Sequence, residues 1–338
     1  MYKVNIVVPS ITTDSRLVRC LNGIQNLNHK NFFVTLVLDD NKNLSILKKF
    51  EFKIKILFLK RANMSKKRNV ATKEFNSDFL AFIDSDACPS KNWLTNAIKE
   101  IKSKEIEIIG GPNIPFENQN FWQKISYYCK RSFFVTAHYN FINYKSKSRY
   151  CEFLHSSNFI ISKKLYMSVN GMDKNLYIGE DHDFFHRLNE KFKNLKVYFA
   201  KNVFVYHEDR EFKFFLMQRF CYGLNVFTAK NTKIKRFLAL IPFFSICIVF
   251  FLLLNLSKLS LIILSLFFVL LSSIIFWEIN KYVKEFGTKL VMIICIYLSN
   301  LFYGIGTLFY FFGVRNQIEK KIYRNIRKSY YSIPVRKK

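Results

Sequence analysis

The chain has 338 residues, half of them apolar, and a formal net charge of +29 at pH 7. That length holds one ordinary globular domain with roughly a hundred residues to spare, and the apolar excess gathers after Arg236, which points to membrane rather than to a larger core. So basic a balance fits nucleic acid or an anionic surface. No nucleic-acid module is recognisable, however, and many of the cations flank the apolar runs: Lys230, Lys233, Lys235 and Arg236 before the first, Arg315, Lys320, Lys321, Arg324, Arg327 and Lys328 after the last. Basic clusters so placed favour anionic lipid headgroups, so membrane lipids are the expected partner and nucleic acid is not. The seven cysteines are scattered without a CxxC pair, as in a reduced compartment without a zinc ribbon. The opening MYKVNIVVPS is too short in apolar residues for a signal-peptide core, which places the globular part in the cytoplasm.

From Lys3 to Gly111 short apolar runs alternate with longer amphipathic ones, the pattern of βαβ units and a mostly parallel twisted sheet in an α/β domain. The spacing predicts strands at Val4–Val8, Phe33–Leu38, Ile54–Leu59, Phe79–Ile83 and Ile106–Ile109. Helices are predicted at about Arg16–Asn26, Ser65–Phe75 and Trp93–Lys102, with Asp14 or Ser15, Asn63 and Ser90 as caps. Residues 112–149 are rich in aromatics and have no clear period, which suggests a partly helical excursion. Patterning returns with strands at Phe159–Ser162, Val197–Phe199 and Val203–Tyr206, a helix at Asp181–Lys193 and another around Phe212–Phe227. These complete one expected domain over residues 1–230.

Residues 231–314 form the expected membrane region. Phe237–Leu256 and Leu259–Trp277 carry no charge, and each is close to the roughly twenty residues that cross a bilayer. Only Ser257 and Lys258 separate them, so they read as a helical hairpin. A third charge-free run, Leu290–Val314, is interrupted by Asn300, Gly304 and Gly306 and is open between spanning, re-entry and the interface. Three full spans would put the basic tail, 315–338, opposite the globular part, against the positive-inside tendency, so a spanning hairpin with a cytoplasmic tail is expected of this multi-pass chain.

Polar residues bunch where strands end. Pro9-Ser10, Asp39-Asp40 and Asp84-Ser85-Asp86 each follow a strand, and in open α/β sheets that edge binds ligands. Asp84 and Asp86, at i and i+2 with a small serine between, can aim at one hard cation or a ribose; alone, the tripeptide is as well explained as a turn before Pro89. Asp39-Asp40-Asn41 offers acceptors to a base and ribose, or simply makes a turn. Glu180-Asp181 opens a helix after Gly179, where carboxylates also sit for dipole reasons. His207 closes a strand, a place where a histidine is most often just exposed.

In their order and spacing, VNIVVPS, LVLDDN, RANMSKKRNVATKEFNSDFLAFIDSD, SSNFIIS, NGMD, GEDHDFFHRL and YHED resemble the inverting, GT-A-fold glycosyltransferases of family 2, over roughly residues 3–228. The resemblance implies a GT-A-type nucleotide-sugar-binding domain followed by transmembrane helices. It implies that Pro9, Asp39 and Asp40 help hold base and ribose, that Asp84, Ser85 and Asp86 manage ribose, metal and diphosphate, and that Lys67, Arg68 and Asn69 approach the nucleotide. Asp181, beside Glu180, would be the general base, His207 would complete the shell of Mg²⁺ or Mn²⁺ with Asp84 and Asp86, and Asn158 and Gly179 would line the sugar and acceptor pocket. The implied partners are a UDP- or GDP-sugar donor and a lipid-linked or membrane-proximal glycan acceptor.

The departures matter. Ser10 is followed by Ile11 and Thr12 where the family more often has Tyr-Asn, and Gln218-Arg219-Phe220 lacks the Trp and spacing of the Gln-x-x-Arg-Trp segment of processive synthases. Transfer of a single sugar is therefore expected. The alternatives are a catalytically inactive nucleotide-binding membrane scaffold and a polysaccharide synthase component. His182 and His186 stand at zinc-pair spacing, but the His-Glu-x-x-His order is absent.

Overall fold

VNIVVP is buried along its whole length, as a strand must be when helices cover both faces of a parallel sheet. This strand, β1 (Val4–Pro9), leads to α1 (Ser15–Gln25), β2 (Phe32–Leu38), β3 (Ile54–Phe58), α2 (Met64–Ala71), β4 (Phe79–Ile83), β5 (Ala87–Pro89), α3 (Trp93–Lys104), β6 (Ile108–Gly110) and β7 (Asn113–Pro115). Next come α4 (Phe121–Arg131) and α5 (Phe133–Thr136), then β8 (Arg149–Cys151), β9 (Asn158–Ser162), α6 (Lys163–Ser168), α7 (Glu180–Lys191), β10 (Val197–Phe199), β11 (Val205–His207) and α8 (Phe212–Leu224). The chain continues through α9 (Lys233–Leu254), α10 (Lys258–Ile279) and α11 (Phe286–Phe311). The computed structural model describes residues 2–136, 147–227, 233–255, 257–315, 317–318 and 321–322. They fall into two compact units, one of 2–117 and 147–208, the other of 118–136 and 209–322.

The first unit is an α/β domain. Its main sheet has the order β3-β2-β1-β4-β9-β6-β10-β8. β3, β2, β1 and β4 run parallel, as do β6 and β10, while β9 enters antiparallel between β4 and β6. A small sheet, β5-β11-β7, stands beside it. In the core, Asn5 donates to the Ala71 carbonyl at 3.1 Å and accepts from the Thr35 hydroxyl at 2.9 Å, so a buried amide ties α2 to β1 with its polar atoms satisfied.

Local chemistry sets the helix ends. Asp14 caps α1 by accepting from the Arg16 and Leu17 N–H groups, and Asn63 caps α2 through the Lys66 N–H. The Ser90 cap is corrected: Asn92 stands at that position, and Ser90 contributes its carbonyl to the Trp93 N–H at 2.9 Å. Ile106, expected in a strand, instead closes α3 by donating to the Ile101 carbonyl across Glu105 in the left-handed region, so β6 begins at Ile108. Helix α2 ends early, at Ala71, and the Thr72 hydroxyl there donates to the Asn69 carbonyl at 2.8 Å.

The second unit is helical: α4, α5 and α8 with α9, α10 and α11. Two of these, Lys258–Ile279 and Phe286–Phe311, are long and apolar enough to cross a membrane, with mean hydropathy of 2.8 and 1.8. The first run of the expected hairpin is helical as α9; its apolar part, Ala239–Leu254, is shorter than a full span, and residue 256 lies outside the described residues. The third run proves to be one continuous helix through Asn300, Gly304 and Gly306. Its glycines mark crossings rather than breaks. A Cβ at Gly306 would strike the Phe220 carbonyl of α8, and one at Gly223 the Tyr303 carbonyl of α11, so bare backbones let the two helices touch. Of the 315–338 tail, only 315, 317–318 and 321–322 are described.

Candidate active site

Three strand ends converge through α2. Ser10, just past β1, donates its N–H to Val37, and Asp39, just past β2, donates to the Ile11 carbonyl at 3.1 Å. Lys67 reaches up from α2, fully buried, and joins both loops: its ammonium donates to the Ser10 carbonyl and pairs with Asp39. A buried ammonium is tolerated because these oxygens replace its water. Asp40 closes a short turn by accepting from the Lys42 N–H at 3.2 Å. Pro9 ends β1 opposite Val37.

The third strand end carries the carboxylates. Ser85 is buried between Asp84 and Asp86, and the pairing of β11 with β5 sets His207 opposite Ala87. His207 Nε2 thereby stands 3.4 Å from Asp86 Oδ1. Asp84, Asp86 and His207 each offer a ligand atom, all within 4.8 Å of one another. Two carboxylates and an imidazole suit a divalent cation on the harder side of the transition series. Glu208 is held by α1: Arg19 Nη2 meets its carboxylate at 2.6 Å and Arg16 Nε at 3.7 Å, which fixes the strand end carrying His207.

The fourth contribution is the start of α7. Gly179 precedes it at φ 79°, which a glycine adopts without steric strain, and a Cβ added there would meet nothing within 4 Å. Glu180 and Asp181 occupy the first turn, favoured by the helix dipole. Arg68, only 2% exposed, bridges across: Nη2 donates to Asp84 Oδ1 at 2.8 Å and Nη1 to Glu180 Oε1 at 3.1 Å. Burial, with the neighbouring Asp181 charge, pushes the Glu180 carboxyl up to about 7 against the pull of Arg68. Burial acts in the same sense on Asp181 but is outweighed there by the His155 contact, the charges of His182 and His155 and the His182 N–H, which hold it well below the usual carboxylate range. The two neighbouring acids thus differ: one is an anion throughout the neutral range, the other changes state within it.

Residues 79–303 match the family described as glycosyl transferase family group 2. The chain belongs to that family. This glycosyltransferase is 26% identical over 114 residues to glycosyltransferase GlyA of Streptococcus pneumoniae serotype 4 (strain ATCC BAA-334 / TIGR4), a match covering 32% of this chain and 16% of GlyA. It thus spans well under a fifth of that curated relative's length. Among solved structures, the mannosyltransferase PcManGT of Pyrobaculum calidifontis, in complex with GDP-Man and Mn2+, superposes with a TM-score of 0.59 at 11% identity over 91% of this chain and 87% of that one. S. aureus TarS 1-349 in complex with UDP-GlcNAc gives 0.47 at 14% identity over 99% and 93%. The α/β fold is thus of the GT-A type.

Within the glycosyltransferase, not every residue singled out in the sequence joins this cluster. Asn158 is 1% exposed and its amide is fully engaged, accepting from Trp93 Nε1 at 2.8 Å and donating to the Pro112 and Val203 carbonyls at 3.2 and 3.0 Å. It ties β9 to α3 and to the segments that follow β6 and β10. Trp93→Phe is expected to leave that oxygen unsatisfied and cost about 1–3 kcal/mol; chemical denaturation reads the loss, and an unchanged midpoint would contradict it. Asn69 likewise holds the Gly171-Met172 turn: Nδ2 donates to the Met172 carbonyl at 2.6 Å, and Oδ1 accepts from the Tyr166 hydroxyl and the Met172 N–H. His186 pairs with Glu190 on its own helix, and His182 lies against Phe153. Sequence reasoning missed Arg16, Arg19 and His155. Their partners lie 192, 189 and 26 residues away along the chain, beyond any local pattern.

Proposed function

We propose that this glycosyltransferase moves one sugar at a time from a UDP- or GDP-linked donor to a lipid-linked or membrane-proximal glycan acceptor, with inversion at the anomeric carbon. The observation that carries the reading is the pairing of Asp181, held as an anion at the start of α7, with the Asp84–Asp86–His207 cluster, Arg68 spanning from Asp84 to Glu180, the residue before Asp181. Inverting transfer needs those two functions: a carboxylate to take the acceptor hydroxyl's proton, and positive charge to stabilise the departing diphosphate.

In this reading Asp39 and Asp40, with the backbone beyond Pro9, receive the base and ribose, and Lys67 sets the two loops that do so. Asp84, Asp86 and His207 hold Mg²⁺ or Mn²⁺, with Ser85 the small residue that lets both carboxylates converge. A cation held by these residues would supply positive charge for the departing diphosphate. Gly179 leaves room beside Glu180 and Asp181 for the sugar or acceptor, while Asn158 and Asn69 act as supports. The capture of PcManGT, a protein of the same fold, with GDP-Man and Mn2+ supports the donor class. The two long apolar helices and the basic residues around them support an acceptor at the membrane, with the multi-pass chain keeping its GT-A unit on the cytoplasmic side. A thermal-stability screen of UDP- and GDP-sugars, with and without Mn²⁺, tests the reading, because a ligand of the folded state raises its apparent stability. Stabilisation by one donor only with the cation is expected; indifference to every donor would sink it.

Glu180 adds a pH signature. Its folded-state value lies above the ordinary one, so the stability it contributes is present at acid pH and is lost as pH rises from about 4.5 through about 7. Glu180→Gln removes that titration. The variant should lose less melting temperature than wild type between pH 5 and pH 8; parallel losses would show that Glu180 is not shifted.

A further inference from the structure

His155 lies between β8 and β9, and its Nδ1 stands 3.7 Å from Asp181 Oδ2, within ion-pair reach though longer than a hydrogen bond. Contacts on both sides set it there. The next backbone N–H, from Ser156, approaches the same oxygen at 3.5 Å. Phe153, buried two residues earlier, meets the His155 ring edge-on at 5.7 Å and lies against the His182 ring at 4.2 Å. One buried ring is therefore wedged between His155 and the neighbour of Asp181. The other carboxylate oxygen, Oδ1, accepts the His182 N–H at 2.9 Å.

We propose that His155 is a positioning residue for Asp181: its Nδ1–H tightens onto Oδ2 when substrate is bound and fixes the direction of the carboxylate as the acceptor hydroxyl arrives. The proposal rests on Asp181 being the base. Long apo distances of this kind shorten in the substrate complex. Among the described residues, the charged and titratable groups around Asp181 are Glu180 and His182 on α7, Arg68 on α2, which faces it across Glu180, and His155 on the segment before β9. Arg68 is already shared between Asp84 and Glu180. His155 thus adds a side-chain donor to the two backbone N–H groups that already face Asp181.

Two measurements on the full-length protein in detergent test it. The first needs no substrate: ¹⁵N-histidine NMR at a single pH compares the His155 ring nitrogens, assigned by their absence in His155→Asn, in wild type and in Asp181→Asn. Replacing the Asp181 carboxylate should move the His155 Nδ1 resonance; an unmoved Nδ1 resonance overturns the proposal. The second is transfer from UDP-N-acetylglucosamine or GDP-mannose with Mn²⁺. His155→Ala should lower kcat by about tenfold, leave the donor KM unchanged and move the acid limb of kcat to higher pH, as loss of a charge partner requires. His155→Asn, whose amide N–H can stand where Nδ1–H stood, should recover most of the rate. A normal kcat and acid limb in His155→Ala beside an inactive Asp181→Asn would refute the positioning role and leave the base assignment standing. Wild-type turnover by Asp181→Asn would remove the base assignment, and the proposal with it.

Discussion

Asp181→Asn is expected to lower the transfer rate by about 10³-fold, within the range of roughly 10²–10⁴ that a positioned acid or base contributes, while donor affinity stays near wild type. The asymmetry follows from placement. Asp181 sits in the first turn of α7 with its oxygens facing the Ser156 and His182 N–H groups and His155, whereas the Asp84–Asp86–His207 cluster lies across Arg68. An amide keeps the size of the carboxylate and loses its basicity, so the loss should appear in kcat with the donor KM little changed. Turnover at the wild-type rate would remove Asp181 from the chemistry.

Asp86→Ala should instead act on the donor. Asp86 is nearly buried, faces His207 and supplies one of three ligand atoms, so its removal leaves Asp84 and His207 as the protein donors of the cluster. Cation affinity should fall by at least about 10–100-fold, the loss seen even when an outer partner of a ligand is removed. Donor stabilisation by Mn²⁺ in a thermal scan should disappear with it, as it should in wild type treated with a chelator. Retention of cation-dependent donor binding in Asp86→Ala would rule out the cluster. Asp86 is the cleaner test than Asp84, because Asp84 also anchors Arg68.

The two variants also mark where the sequence was informative. Phe79–Ile83 and Val197–Phe199 could be read to the residue because each is a short apolar run buried along its length. The acidic residues beyond β2 and β4 and at the start of α7 were legible because strand ends and helix starts are local features. The antiparallel entry of β9 was not, since an apolar run buried on both faces reads alike in either direction. Strands β5, β7 and β8, of three residues each, are too short to show a period. The engagement of the Asn158 amide was not legible either, because it depends on Trp93, Pro112 and Val203, which are distant in sequence. The glycines of α11 interrupt an apolar run on paper, yet they serve a contact with α8 that only the folded chain reveals.

Arg68 holds Asp84 with one nitrogen and Glu180 with the other. In the proposed reading these two acids belong to opposite partners of the reaction, so a single guanidinium acts as a lever between them. Drawing Asp84 towards an arriving cation would loosen one arm and free the other to settle on Glu180. The acceptor side would then register that the donor side is filled, and substitutions at the two ends should fail to add in a double-mutant cycle. An order of substrate binding can in this way be built into one side chain, without any loop having to close.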